Sequence, residues 1–153
     1  MLALRRVVVG SRKNAGRFES TEPYAVISFV GWGGEHWRSS PRIKHPHNML
    51  GRIIVRCDDC AGKLFPPYVP MSERQAARVA AFVLRLASKV DVLFIHCEQG
   101  LGRSPGAGRA VADAYGIPME NISEDWESDM KHNEYIESMV AKALAGLRAG
   151  QNR

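Results

Sequence analysis

Val90-Asp-Val-Leu-Phe-Ile-His96-Cys97-Glu-Gln-Gly-Leu-Gly-Arg103-Ser104 runs directly into Pro105-Gly-Ala-Gly-Arg-Ala-Val-Ala-Asp-Ala-Tyr115. Val90 to His96 is an almost unbroken apolar run, the pattern of a strand buried on both faces. Ala107, Ala110, Val111 and Ala114 recur at helical spacing, so the part after Arg103 reads as a helix. Between the two lies a strand-to-helix turn with a thiol at its start and a guanidinium at its end.

That turn suits an anion. A short loop entering a helix gathers backbone N–H groups, and the helix N-terminus adds positive potential. Gly100 and Gly102 let the backbone approach a ligand closely. Arg103 can fork two donors onto two oxygens of a phosphate-like group. The same field favours the thiolate of Cys97, which is the nucleophilic form of the side chain. Ser104 is placed to donate a hydrogen bond to that sulfur.

His96-Cys97-Glu-Gln-Gly-Leu-Gly-Arg103-Ser104 resembles the His-Cys-x-x-x-x-x-Arg-Ser/Thr signature of cysteine-based protein tyrosine and dual-specificity phosphatases. The chain around it is similar to small bacterial and phage members of that superfamily. The resemblance implies a compact phosphatase fold and hydrolysis of phosphomonoesters through a phosphocysteine. It also implies Cys97 as nucleophile, with Arg103 and the amides of Glu98, Gln99, Gly100, Leu101, Gly102 and Arg103 holding the phosphate. No metal or organic cofactor is implied. Family members also use an Asp that protonates the leaving oxygen, on a loop after a neighbouring strand a few dozen residues ahead of the cysteine. Asp58 and Asp59 stand there. Asp58, the first residue after the strand, is the favoured acid and Asp59 the alternative; both can instead simply solvate a turn. Loops that act on phosphoinositides carry lysines beside the cysteine, whereas Glu98, Gln99 and Leu101 stand here. Phosphotyrosine or mixed phosphoprotein substrates are therefore expected, with small phosphate esters as a further class.

The whole chain is consistent with one α/β domain spanning residues 1–153. Its 153 residues, 45% hydrophobic and 24% charged, can bury an ordinary core. The net charge of +5 favours anionic partners such as phosphorylated substrates. Nucleic acid is not expected, because the basic residues are scattered rather than gathered in a run with interleaved aromatics. No apolar stretch is long enough for a membrane helix, and Val7-Val8-Val9 is too short for a signal-peptide core. Three cysteines, one of them the proposed nucleophile, fit a reducing cytoplasm.

Other elements follow from pattern. Leu4 to Val9, Tyr24 to Val30 and Arg52 to Cys57 read as strands. A short helix is expected within Ser11 to Ser20. Ser72-Glu-Arg-Gln75 opens a helix with a capping box, and Ala76, Val79, Ala80, Val83, Leu86 and Ala87 form its apolar face. Gly116 and Pro118 stop the helix that follows Arg103. Glu120 to Asp129 reads as an acidic loop, and Asn133 as the cap of a last helix. Together these predict a central, mostly parallel sheet of four or five strands with helices on both faces.

Two stretches leave choices open. Gly31 to Gly51 is long and irregular, with Trp32, Trp37, Arg38, Arg42, Lys44, His45 and His47. It is either a wall that receives the substrate or a surface loop pinned by its tryptophans. Its histidines, His36 included, lack the cysteine or carboxylate pattern of a metal site. Lys63 to Pro70 is an extended connector. Cys57-Asp-Asp-Cys60 is either a pair of incidental thiols or a source of a resolving thiol for Cys97. That second option keeps a thiol redox enzyme, such as an arsenate reductase or sulfurtransferase, as an alternative function. A phosphate-binding module without turnover is the other.

Overall fold

The computed structural model describes residues 3–32, 40–62 and 67–151. Among the described residues five strands and four helices follow one another: β1 Arg6–Gly10, α1 Arg12–Arg17, β2 Tyr24–Val30, β3 Met49–Arg56, α2 Glu73–Leu86, β4 Val92–His96, α3 Arg103–Tyr115, β5 Met119–Asn121 and α4 Glu134–Gln151. The strands form one sheet in the order β3-β2-β4-β1-β5, every neighbouring pair parallel. The fold is therefore α/β with helices flanking a parallel sheet. The fully buried patterns of β2 and β4 reflect their inner positions, with cover on both faces.

Alternate residues of the strands divide the core. Val7, Val9, Ala25, Ile27, Leu93 and Ile95 pack on one face with α2, α3 and α4. Val8, Tyr24, Val26, Val92 and Phe94 pack on the other with Ala15 of α1 and with Ile43. The two faces are unequally covered. Helices lie on both, but α1 is only six residues long, and the segment around Ile43 completes its layer.

Local signals explain the helix ends. Ser72 caps α2 through Gln75 in a reciprocal capping box, and Ser11 caps α1 through Asn14 in the same way. Gly116 closes α3 in the left-handed conformation. Asn133 accepts from the Ile136 amide at the start of α4, as its side chain predicts.

Three boundaries differ from the sequence reading. β3 begins at Met49, not Arg52, because Met49 to Arg52 already pair with Tyr24 to Val26. Gly51, which looked like a loop end, lies against Leu86 and Phe82, where a side chain would crowd the α2 layer. Glu120 and Asn121 belong to a strand rather than to the acidic loop, because they pair with Val8 and Val9. Three residues carry too little alternation to show that. β1 is shifted to Arg6–Gly10, and its last residue sits beside His96. Among the described residues no helix is long and apolar enough to cross a membrane.

Candidate functional site

Parallel strands bring all their C-terminal ends to one edge of the sheet, and β4 is its middle strand. Cys97 follows β4 directly, so it stands at the centre of that edge. Adjacent strands β1 and β4 send the chain to opposite faces, towards α1 and α3, which opens a crevice at their carboxyl ends. A cleft of about 240 Å³ lies there, lined by Gly31, Asp58, Asp59, Tyr68, Cys97, Glu98, Gln99, Leu101, Gly102 and Arg103.

The loop between β4 and α3 is held by its carbonyls. Arg12 donates its amide to the Glu98 carbonyl at 3.0 Å. Asn121 Nδ2 donates to the Gly100 carbonyl at 2.9 Å, and the Ser123 hydroxyl, 2.6 Å from Asn121 Oδ1, lies 3.4 Å from the same carbonyl. The Asn133 and Gly106 amides donate to the Gly102 carbonyl, at 3.1 and 3.0 Å. The loop's oxygens are thus engaged by β5, the start of α1 and the start of α4. The amides of Glu98, Gln99, Leu101, Gly102 and Arg103 donate to no acceptor among the described residues. These residues line the cleft, and α3 begins there without a side-chain cap. A set of uncommitted amides at a helix N-terminus is an anion cradle.

Cys97 is buried and its sulfur is surrounded by donors. The Gly100 amide donates to Sγ at 3.2 Å, and the Ser104 hydroxyl lies 3.2 Å from it. Gly100 reaches this position with φ of 77°, and a Cβ there would run into the Gly10–Ser11 backbone, so only glycine fits. Ser104 is also within 3.2 Å of the Gly10 carbonyl. Its single proton can turn to that carbonyl or to the sulfur.

Arg103 is 6% exposed. One terminal nitrogen donates to the Cys57 carbonyl at 2.8 Å, and the buried Nε has no partner among the described residues. An unsatisfied guanidinium N–H beside the amide cradle is a further donor for an anion.

The two aspartates separate. Asp58, 8% exposed, accepts from the Trp32 amide on one oxygen at 3.0 Å and from the Val69 amide on the other at 2.8 Å. It clamps the chain after β2 to the connector before α2. Asp59 is exposed and lies over Gly102, and one of its oxygens accepts from Asn133 Nδ2 at 2.7 Å. All the residues singled out around the turn, together with both aspartates, meet at this cleft except Gly100 and Ser104, which support the sulfur from behind.

His96 faces the opposite layer. Its Nε2 lies 2.7 Å from the Ser28 hydroxyl, which also accepts from Arg52 Nε at 3.0 Å. Burial, reinforced by the Arg52 charge, pushes the imidazole down to about 4 and keeps the ring neutral. Burial pushes the Cys57 thiol up to about 12 and raises Cys60 in the same direction.

Of the two readings of the irregular stretch, its described basic residues fit the surface loop. Arg42, Lys44, His45 and His47 do not line the cleft. The Tyr24 hydroxyl donates to the His45 carbonyl and the Tyr24 amide to the Asn48 carbonyl, which places His45 to Asn48 at the N-terminal edge of the sheet, while Ile43 packs over its α1 face. A parallel β2–β3 pair forces the connecting chain back to that edge, away from the C-terminal ends. His36, Trp37 and Arg38 lie outside the described residues, as do Lys63 to Pro66. Trp32 is held by its indole N–H on the Arg56 carbonyl.

Pattern reading missed Asn121, Ser123 and Tyr68. It recognised Asn133 only as a helix cap. An Asn-x-Ser just after an apolar segment gives the one local hint, since such side chains hold neighbouring backbone. No family model matches this chain, and neither a curated protein nor a solved structure matches it.

Proposed function

We propose that this chain is a cysteine-dependent phosphomonoester hydrolase of the protein tyrosine or dual-specificity type. The observation that carries the reading is one cleft holding the Cys97 sulfur, the uncommitted loop amides, the Arg103 guanidinium and the Asp59 carboxyl. A phosphoryl group seated on the amides would meet Cys97 Sγ from below.

In the first step the Cys97 thiolate attacks phosphorus, the S–P bond forms and the P–O bond to the leaving group breaks. The Asp59 carboxylic acid gives its proton to the departing oxygen and is left as the carboxylate. In the second step Asp59 takes a proton from water, water attacks phosphorus, the S–P bond breaks and inorganic phosphate leaves. Arg103 and the loop amides hold the equatorial oxygens, where charge spreads in the transition state. Ser104 can turn its proton to the sulfur as that atom becomes the leaving group.

Asp59, rather than the favoured Asp58, takes the acid's part here. Both Asp58 oxygens are engaged by backbone amides, and a carboxylate so held cannot swing its proton to a substrate without releasing two loops. The redox alternative has less support. A resolving thiol must ionise to exchange, and Cys57, buried with its thiol pushed up to about 12, is the wrong kind of group for that. Free thiols at all three cysteines fit a reducing compartment such as the cytoplasm.

The test is turnover of a phosphotyrosyl peptide by wild type, Cys97→Ser and Arg103→Ala, with acid quench to trap phosphorus on the chain. Acid-stable label on wild type, absent from Cys97→Ser, is the expected result. Phosphate binding without turnover by wild type would instead make the site a binding module.

A further inference from the structure

We propose that Asn133 is the positioning residue for the leaving-group acid, tying Asp59, the anion loop and the start of α4 into one unit. This rests on the hydrolase reading above and adds to it a residue far from the signature in sequence.

Asn133 commits its groups to both sides of the cleft. Its Nδ2 donates to Asp59 Oδ1 at 2.7 Å and lies 3.2 Å from the Cys60 carbonyl, so it holds the acid-bearing turn. Its main-chain amide donates to the Gly102 carbonyl at 3.1 Å, so it holds the loop. Its Oδ1 accepts from the Ile136 amide at 2.9 Å, which anchors all of this to the first turn of α4. Its carbonyl packs on Gly106 in α3, where any side chain would meet it at 2.5 Å. The rotamer that caps α4 is thus the rotamer that presents Nδ2 to Asp59.

The consequence is geometric. Asp59 is exposed, and an exposed carboxyl on a turn samples several rotamers unless something holds it. The Nδ2 contact selects the rotamer that lies over Gly102, beside the loop that would hold the phosphoryl group. A proton donor placed there is oriented towards the leaving oxygen before substrate arrives. Asn133 therefore acts through Asp59 and touches no reacting atom.

Helix capping alone would explain the Oδ1 contact, and the experiment separates the two. Asn133→Ser keeps a good cap and removes the donor, and Asn133→Asp keeps the cap while facing Asp59 with an oxygen. Turnover is measured with aryl phosphates whose leaving phenols range from acidic, which need no proton, to weakly acidic, which do. For Asn133→Ser we expect a loss on the order of tenfold with phenyl phosphate, within the hundredfold a misplaced group can cost. With dinitrophenyl phosphate the loss should be negligible. In an Asp59→Asn background the Asn133→Ser effect should vanish, since the two residues act as one. A loss equal for all leaving groups, or one that persists without Asp59, overturns the proposal while the hydrolase reading stands. If Asn133→Ser does not fold, the same comparison with Asn133→Asp decides. A wild type that cleaves no aryl phosphate overturns both readings together.

Discussion

The Asp59 carboxylate lies directly against the Cα of Gly102, so close that a Cβ at position 102 would overlap it. Glycine at the start of α3 is therefore what lets the carboxyl stand over the anion loop. Gly102→Ala should push the Asp59 side chain aside. The displaced group is the end of a flexible, exposed side chain, so stability should change by less than about 1 kcal/mol. Turnover of phenyl phosphate should fall at least about tenfold. Parallel thermal melts and steady-state kinetics check it, and a large loss of stability would contradict it.

Neighbouring aspartates should respond in opposite ways. Asp58→Asn replaces an acceptor with a donor facing a backbone amide, and should destabilise the fold by about 2 kcal/mol. Asp59→Asn should leave stability nearly unchanged and cost about 100-fold or more with poor leaving groups. Urea unfolding and leaving-group series on both variants make the comparison. If Asp58→Asn is stable and inactive while Asp59→Asn is active, the assignment is reversed.

At Gly100, φ of 77° carries a backbone penalty of about 1–2 kcal/mol for any residue with a Cβ. That Cβ would also lie 2.6 Å from the Gly10 carbonyl carbon and 2.8 Å from the Ser11 nitrogen. Neither is a side chain that can move. Gly100→Ala should therefore disrupt the loop itself, lowering stability and abolishing tungstate binding together. Isothermal titration with tungstate and a melt on the same sample would show both, and intact binding would count against the described loop.

His96 gives a pH signature. Its ring is pushed down to about 4 in the folded chain, against 6.5 for the ordinary side chain. As pH falls below 6.5 the unfolded chain takes up a proton that the folded chain refuses, so stability drops from there towards pH 4 and then levels. The full change is about 3 kcal/mol at most. Unfolding free energies of wild type and His96→Asn should differ most at neutral pH, and the gap should narrow through this window. A gap independent of pH would mean that His96 titrates like an exposed ring.

Much of the site was legible because it is contiguous. A buried strand, two glycines, a thiol and a guanidinium within one turn fix their own spacing, and the capping box at Ser72 and the Asn133 cap act within four residues. What separates the two aspartates was not legible in the same way. Asp58 and Asp59 are equivalent as a sequence pair, and what divides them is that Trp32 and Val69 amides reach one while Gly102 and Asn133 reach the other. The basic residues from Arg42 to His47 fitted either a substrate wall or a surface loop by composition, and the folded chain keeps them out of the cleft.

By itself, then, the sequence determined a parallel α/β chain and a strand–loop–helix turn carrying a thiol, two glycines and a guanidinium, because hydrophobic period, glycine placement and helix caps are short-range properties. Tertiary structure alone decided which carboxyl overhangs that turn, which side chains hold the loop's carbonyls, and which charges lie near it. Those are contacts between segments distant along the chain, and they exist only once β4 is paired between β1 and β2 and α4 has packed against α3.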